Sequence, residues 1–152
     1  MCCNFVKIND RYAAKLYENQ CTRDGAWKLQ KALAIYGFAP DAGECFELPS
    51  DPEHDRNKGP QFRYGYVTEI VETFVPHNRD RKQTQFSYLD QFSRENLDQF
   101  NKAQDDRNQL KANLHAIGYG WDDCHLGNIG YKDGRVVLID TDPFGLYEKD
   151  VK

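Results

Sequence analysis

No apolar run in this chain approaches the roughly 18–20 residues that a membrane-spanning helix needs. The N-terminus has no basic segment followed by an apolar one, so no secretory signal is expected either. These absences predict a cytoplasmic protein without a membrane partner. Cysteines are few and odd in number: Cys2, Cys3, Cys21, Cys45 and Cys124. Their spacing has no framework pattern, which predicts reduced thiols. Adjacent Cys2 and Cys3 give only a weak acylation signal. Positive charge is not in excess: 20 Lys and Arg face 24 Asp and Glu, a formal charge of -4. Nucleic acid is therefore not an expected partner, although a local cationic pocket for phosphate is compatible with this balance. Internal repeats and low-complexity tracts are missing too.

What the sequence does have is a modest core supply. Apolar residues make up 39 % of the 152 positions and aromatics 13 %. That length predicts one domain, 1–152, built as two small lobes over 1–72 and 73–152. FVKI (5–8) and RYAAKLY (11–17) read as strands about an Asn9-Asp10 turn. Thr22 to Tyr36 reads as a helix with Trp27, Leu29, Ala32, Leu33 and Tyr36 on its apolar face, stopped by Gly37. ECFELP (44–49) alternates like a strand, and 50–60 is a polar loop. FRYGYVTEIVETF (62–74) is rich in β-branched and aromatic residues, as a buried strand is. The run 77–85 is charged and reads as exposed. Asn96 to Ile117 predicts a longer helix with Leu97, Phe100, Leu110, Leu114 and Ile117 in the core, ended by Gly118. GNIGY (127–131) and RVVLID (135–140) predict a β-hairpin across Lys132-Asp133-Gly134. Strands and helices are grouped rather than alternating, so the expected class is α+β.

The chemistry concentrates in DDCHLGNIGYKDGRVVLIDTD (122–142). Asp123 and Asn128 sit on a loop that enters the hairpin, and the hairpin returns Asp140 toward Asn128. This arrangement offers one carboxylate to a hydroxyl. It also offers an amide oxygen and a second carboxylate to magnesium, which takes hard oxygen ligands and keeps several positions for phosphate and water. Asp142 is either a further ligand or a turn residue. Cys124-His125 has no Cys-x-x-Cys partner, so zinc is not expected.

DDCHLGNIG resembles the catalytic loop of the protein-kinase-like superfamily, in the Asp-x-His-x-x-Asn form of aminoglycoside phosphotransferases and related small-molecule kinases. The resemblance implies Asp123 as catalytic base, Asn128 and Asp140 as metal ligands, and His125 as a brace. Upstream, RYAAKLY resembles the strand that carries the phosphate lysine. It implies Lys15 at the α/β-phosphates and Ala13 as a wall of the adenine pocket. YGFAP (36–40) resembles the turn after the αC helix. YGYVTEIVE (64–72) resembles the fifth strand and hinge, with Thr68 as gatekeeper and Glu69 to Val71 presenting backbone groups to adenine. The implied fold is a reduced two-lobed kinase-like one: an antiparallel small-lobe sheet, and a small helical lobe with the catalytic hairpin. The implied ligands are ATP and Mg, with a hydroxyl acceptor that the sequence does not name, protein side chains among the candidates.

Three departures accompany the resemblance. No Gly-x-Gly-x-x-Gly precedes Lys15. The helix 22–36 holds no Glu for Lys15, leaving Asp24 and Gln30 as its acidic and amide candidates. The segment after Asp140 is too short for an activation segment, and Trp121 stands where many kinases have His. A second expectation is therefore a kinase-derived binding or regulatory module of little or no turnover. A reduced lobe that exposes apolar surface would also suit a homo-oligomer.

Overall fold

The computed structural model describes residues 3–76, 83–141 and 145–149. Cys2, Asp142 and positions 77–82 of the charged run lie outside the described residues. Within them the chain is α+β, as expected, with three α-helices and three antiparallel sheets. It divides into two compact units. Unit 1 is Met1–Ile70 with Thr141–Pro143, and unit 2 is Val71–Asp140 with Phe144–Lys152. No described helix is long and apolar enough to cross a membrane, and the four described cysteines are free thiols.

Unit 1 is built on a four-stranded sheet. β1 (Asn4–Lys7), β2 (Tyr12–Tyr17), β3 (Ala42–Glu47) and β4 (Tyr64–Glu69) lie in the order β1-β2-β4-β3. The Asn9-Asp10 turn forms because the Asn9 side chain accepts from the N–H groups of Arg11 and Tyr12, both at 2.9 Å. Such a local bond is why Asn favours turns. Helix α1 (Gln20–Ile35) starts before the expected Thr22, because Asn19 caps it by accepting from Thr22 N at 2.8 Å. It ends before Gly37, whose φ of 77° suits glycine.

The face that α1 buries matches the expected apolar one at Leu33 and otherwise differs. Its buried residues are Arg23, Ala26, Gln30 and Leu33, whereas Tyr36 is 53 % exposed. The difference arises because the helix is held by polar bonds as well as by contact. Arg23 Nη1 donates to the carbonyls of Phe46 and Gly65 at 2.9 and 3.0 Å, and Trp27 Nε1 donates to Gly43 O at 2.8 Å. Beneath these bonds Tyr17, Ala26 and Tyr66 form a small core, with the two tyrosine rings stacked at 6.1 Å. Buried Thr141 closes this unit by donating its hydroxyl to Ala26 O at 2.8 Å.

Unit 2 holds two helices the sequence reading treats differently. α3 (Leu97–Ala116) matches the expected Asn96–Ile117 and buries Ala103, Leu110 and Leu114. Leu97, expected in the core, is 59 % exposed because it opens the first turn at the junction with the preceding helix. That helix, α2 (Gln85–Glu95), was not anticipated; Thr84 caps it by accepting from Ser87 N. β6 (Tyr119–Trp121) pairs with β9 (Leu146–Glu148), a short ladder also not anticipated. The expected hairpin is present as β7 (Ile129–Lys132) and β8 (Arg135–Leu138), with β5 (Glu72–Thr73) added on the β7 side. Asp133 and Gly134 both have positive φ, 51° and 78°. That pair is what a tight two-residue hairpin demands.

Two predictions follow from unit 2. A Cβ on Gly130 would lie 2.7 Å from the Glu72 backbone oxygen, which cannot step aside as a side chain can. Gly130→Ala should lower urea-unfolding stability by about 1–3 kcal/mol through separation of β5 from β7. The Tyr131 hydroxyl is pushed well above the ordinary tyrosine range, first by burial and then by its 3.0 Å bond to Asp106 and that group's charge. A folded pKa above the unfolded value of about 10 means this contribution is intact below that pH and lost as pH rises through and beyond it. Alkaline unfolding should therefore be less steep in Tyr131→Phe, read by circular dichroism above pH 10.

Candidate functional site

In unit 1 the strand periodicity puts Ala13, Lys15 and Tyr17 on one buried face of β2. Their partners across the ladder on β4 are Thr68, Tyr66 and Tyr64. Lys15 therefore looks toward α1 with Thr68 beside Ala13, and its Nζ lies 5.8 Å from the Tyr66 ring centre. The helix meets it with Gln30, which has no exposed surface. Gln30 Oε1 accepts from Lys15 Nζ at 3.2 Å and from the Tyr66 hydroxyl at 2.7 Å. Gln30 Nε2 donates to Thr68 Oγ1 at 2.7 Å, to Pro40 O at 3.0 Å and, at longer range, to Asp41 O at 3.4 Å. Of the two candidates on the helix, the amide is the partner of Lys15, while Asp24 binds Arg23 Nε at 2.7 Å.

The residues expected to contact adenine divide by how their backbone is used. Glu69 N donates to Asp41 O at 2.9 Å and Ile70 N to Arg11 O at 2.8 Å. Glu69 O accepts from the Thr68 hydroxyl at 3.3 Å. Val71, the first residue of unit 2, makes no backbone hydrogen bond among the described residues. Tyr66 belongs to this network and was missed by the sequence reading. Its signal was its place opposite Lys15, which only the β2–β4 register reveals.

In unit 2 the catalytic-loop candidates assemble over a short stretch. A 3-10 turn at Leu126–Asn128 follows His125, whose Nδ1 accepts from Gly127 N at 3.1 Å. That bond needs the lone pair on Nδ1, so the ring proton sits on Nε2, which lies 3.2 Å from Asp123 Oδ1. Asn128 Nδ2 donates to Asp123 twice, to its backbone O and to Oδ2, both at 2.9 Å. Asp123 is thus held at both carboxylate oxygens while its side chain stays 52 % exposed. A Cβ on Gly145 would stand 2.6 Å from Asp123 Cβ, so the close approach of that strand needs glycine.

With Nδ2 turned to Asp123, the Oδ1 of buried Asn128 makes no hydrogen bond among the described residues. Ile139 N donates to Asn128 O at 2.9 Å, so half-buried Asp140 is the next residue along the exit from β8. An amide oxygen and a carboxylate are both donors of the hard type magnesium prefers. No group of three His, Cys, Asp or Glu that could hold a metal ion occurs among the described residues. Burial pushes the Cys124 thiol up, with Arg107 and Lys111 opposing in part. This keeps it protonated and unfit as a nucleophile near neutral pH.

No family model matches the chain, and no curated protein matches it.

The Gln30 network yields a sharp expectation. Gln30→Leu keeps the volume but strips the acceptor from Lys15 and Tyr66 and the donor from Pro40 and Thr68. It should cost at least about 2 kcal/mol in chemical denaturation, because buried polar groups are left without these partners. Asp24→Asn keeps an oxygen acceptor for Arg23 Nε, and the two carbonyl acceptors of Arg23 remain, so it should cost less than Gln30→Leu, about 1 kcal/mol.

Proposed function

We propose that this chain is a reduced kinase-like phosphotransferase, moving the γ-phosphoryl group of ATP to a hydroxyl acceptor with magnesium. The observation that carries the reading is the coupling of Asp123 to Asn128 with Asp140 one residue beyond their hairpin partner. Chemistry of this kind asks a protein mainly for positioning and charge stabilisation. Asp123, fixed by His125 and Asn128, would take the proton of the acceptor hydroxyl. The acceptor oxygen would bond to the γ-phosphorus as the bond to the β-phosphate oxygen breaks, and ADP would leave. Asn128, through Oδ1, and Asp140 would hold magnesium, which when bound neutralises phosphate charge. Lys15 would steady the α/β-phosphates. By the resemblance Ala13 and Thr68 would wall an adenine pocket and Glu69 to Val71 would offer it backbone groups, although Glu69 N and O are already taken by Asp41 and Thr68.

A second reading is a kinase-derived binding module with little turnover. Two observations favour it. The β1–β2 connection is a tight turn closed by Asn9 with no glycine, so it offers no phosphate-covering loop. The helix partner of Lys15 is an uncharged amide rather than a carboxylate.

Thermal unfolding with and without ATP and magnesium separates these. A ligand that binds only the folded state raises stability by mass action. The expected result is a magnesium-dependent rise in Tm that Asp140→Asn loses. No rise at millimolar nucleotide would sink the ATP-dependent reading. If the shift is present, Asp123→Ala should keep it while lowering turnover by about 10²–10⁴-fold, the usual weight of a general base. Full turnover in Asp123→Ala would remove that residue from the chemistry.

A further inference from the structure

Two side chains of unit 2 meet over one bare α-carbon. Gly127 is buried in the 3-10 turn that follows His125. A Cβ on it would stand 2.6 Å from Gln85 Oε1, 2.9 Å from Gln85 Cδ and 2.9 Å from His125 Nδ1. The glutamine amide and the Nδ1 edge of the imidazole therefore flank the same side of the glycine. The amide takes the space that a side chain at position 127 would fill, a close approach that glycine permits.

Gln85 is brought there by helix α2, not by the loop itself. It is the first residue of that helix, whose start is set by the Thr84 hydroxyl accepting from Ser87 N. Farther along, Phe92 packs edge-on against Phe74 with ring centres 5.1 Å apart. Phe74 is in turn tied to the exit of the loop, its N–H donating to Ile129 O at 3.2 Å. The helix is thus anchored beside Ile129 and reaches back over Gly127. Gln83 Nε2 donates to Gln91 Oε1, whereas the half-buried Gln85 side chain makes no hydrogen bond among the described residues. What Gln85 supplies to the loop is contact.

The contact bears on Asp123 through a short chain of bonds. Gly127 N donates to His125 Nδ1 at 3.1 Å, and the same ring sets Nε2 at 3.2 Å from Asp123 Oδ1. The His125 side chain is 46 % exposed, so water competes for the Nδ1 edge wherever no neighbour stands, and Gln85 is a neighbour at that edge. We propose that Gln85 is a positioning residue: packed on Gly127, it holds the His125 ring in the orientation that fixes the Asp123 carboxylate. Its effect on turnover rests on the phosphotransferase reading, and its effect on the loop does not.

Two readouts on the full chain keep these apart. The first is exchange of backbone amide protons with water, with Val137 in β8 as the reference for unit 2. In Gln85→Ala the Gly127 amide should exchange about tenfold faster or more, while Val137 is unchanged. Gln85→Met keeps the length without the amide and should behave as the wild type. The second is ADP release from ATP and magnesium with water as the acceptor, the water oxygen bonding to the γ-phosphorus as ADP leaves and its proton passing to Asp123. Turnover should fall about tenfold in Gln85→Ala through kcat, at unchanged KM and unchanged ATP-dependent rise in Tm, and return in Gln85→Met. Unchanged exchange at Gly127 in Gln85→Ala, equal acceleration at Val137, or a Gln85→Met that behaves as Gln85→Ala overturns the proposal. So does full turnover in Gln85→Ala. A wild type that releases no ADP counts against the phosphotransferase reading alone, and the Gly127 exchange then decides the role of Gln85.

Discussion

Unit 1 is organised around one amide that water cannot reach. Gln30 is sealed in the interior, and its oxygen and nitrogen are both fully engaged, the oxygen by Lys15 and Tyr66, the nitrogen by Thr68 and Pro40. A buried amide of this kind is stabilising only when every partner is in place, so it imposes geometry on all of them at once. It sets the rotation of α1 against the sheet, the direction of the Lys15 ammonium and the orientation of the Thr68 hydroxyl. A carboxylate at the same position would attract Lys15 more strongly. It would also set an oxygen against the Pro40 carbonyl, which needs a donor. With an amide at position 30 the helix gives up a charged contact of its own to the lysine in exchange for a tie between the helix and the chain that follows it. Arg23 makes the same kind of tie one end over, through two carbonyls of β3 and its neighbour.

The two candidate groups are stabilised in different ways. Lys15 owes its place to residues spread from position 15 to 68, so it exists only once the sheet and helix have packed. Asp123 owes its place to His125, Asn128 and the approach of Gly145. Most of that loop is therefore written into six consecutive residues. Local bonds of this sort cost little chain entropy to form, which is why a small unit without a large core can hold a carboxylate in a fixed orientation.

The same contrast explains what could be read from the letters. The hairpin at 129–138 was legible because Asp133-Gly134 is a turn whose backbone few other pairs adopt, and the alternation on either side fixed its strands. The Asp123 to Asn128 loop was legible because its spacing is its geometry. The buried face of α1 was legible only at Leu33: apolar periodicity also selects Trp27, Leu29, Ala32 and Tyr36, whereas the residues turned inward include an arginine and a glutamine satisfied by backbone carbonyls distant in sequence. Helix α2 was hidden by a mixed polar and aromatic composition with no buried stripe; none of its residues is fully buried. β6 and β9 are three residues each, too short for any period to show. Leu97 was assigned to the core on its side chain alone, when its position at the start of a helix places it in solvent.

The bond from the Thr141 hydroxyl to the Ala26 carbonyl spans 115 residues of sequence, yet both ends belong to unit 1. During synthesis from the N-terminus, the sheet and α1 emerge first and lack this closure. The last strand of the sheet ends at Glu69, 72 residues before Thr141, so at about 5–20 residues per second the missing residue arrives roughly 4–14 s later. Through that interval the Ala26 carbonyl and the neighbouring helix face are open to water, to chaperones and to other nascent chains. The order of translation therefore leaves the earlier-made of the two units unclosed until most of the later-made one has been synthesised, and ties the maturation of the one to the synthesis of the other.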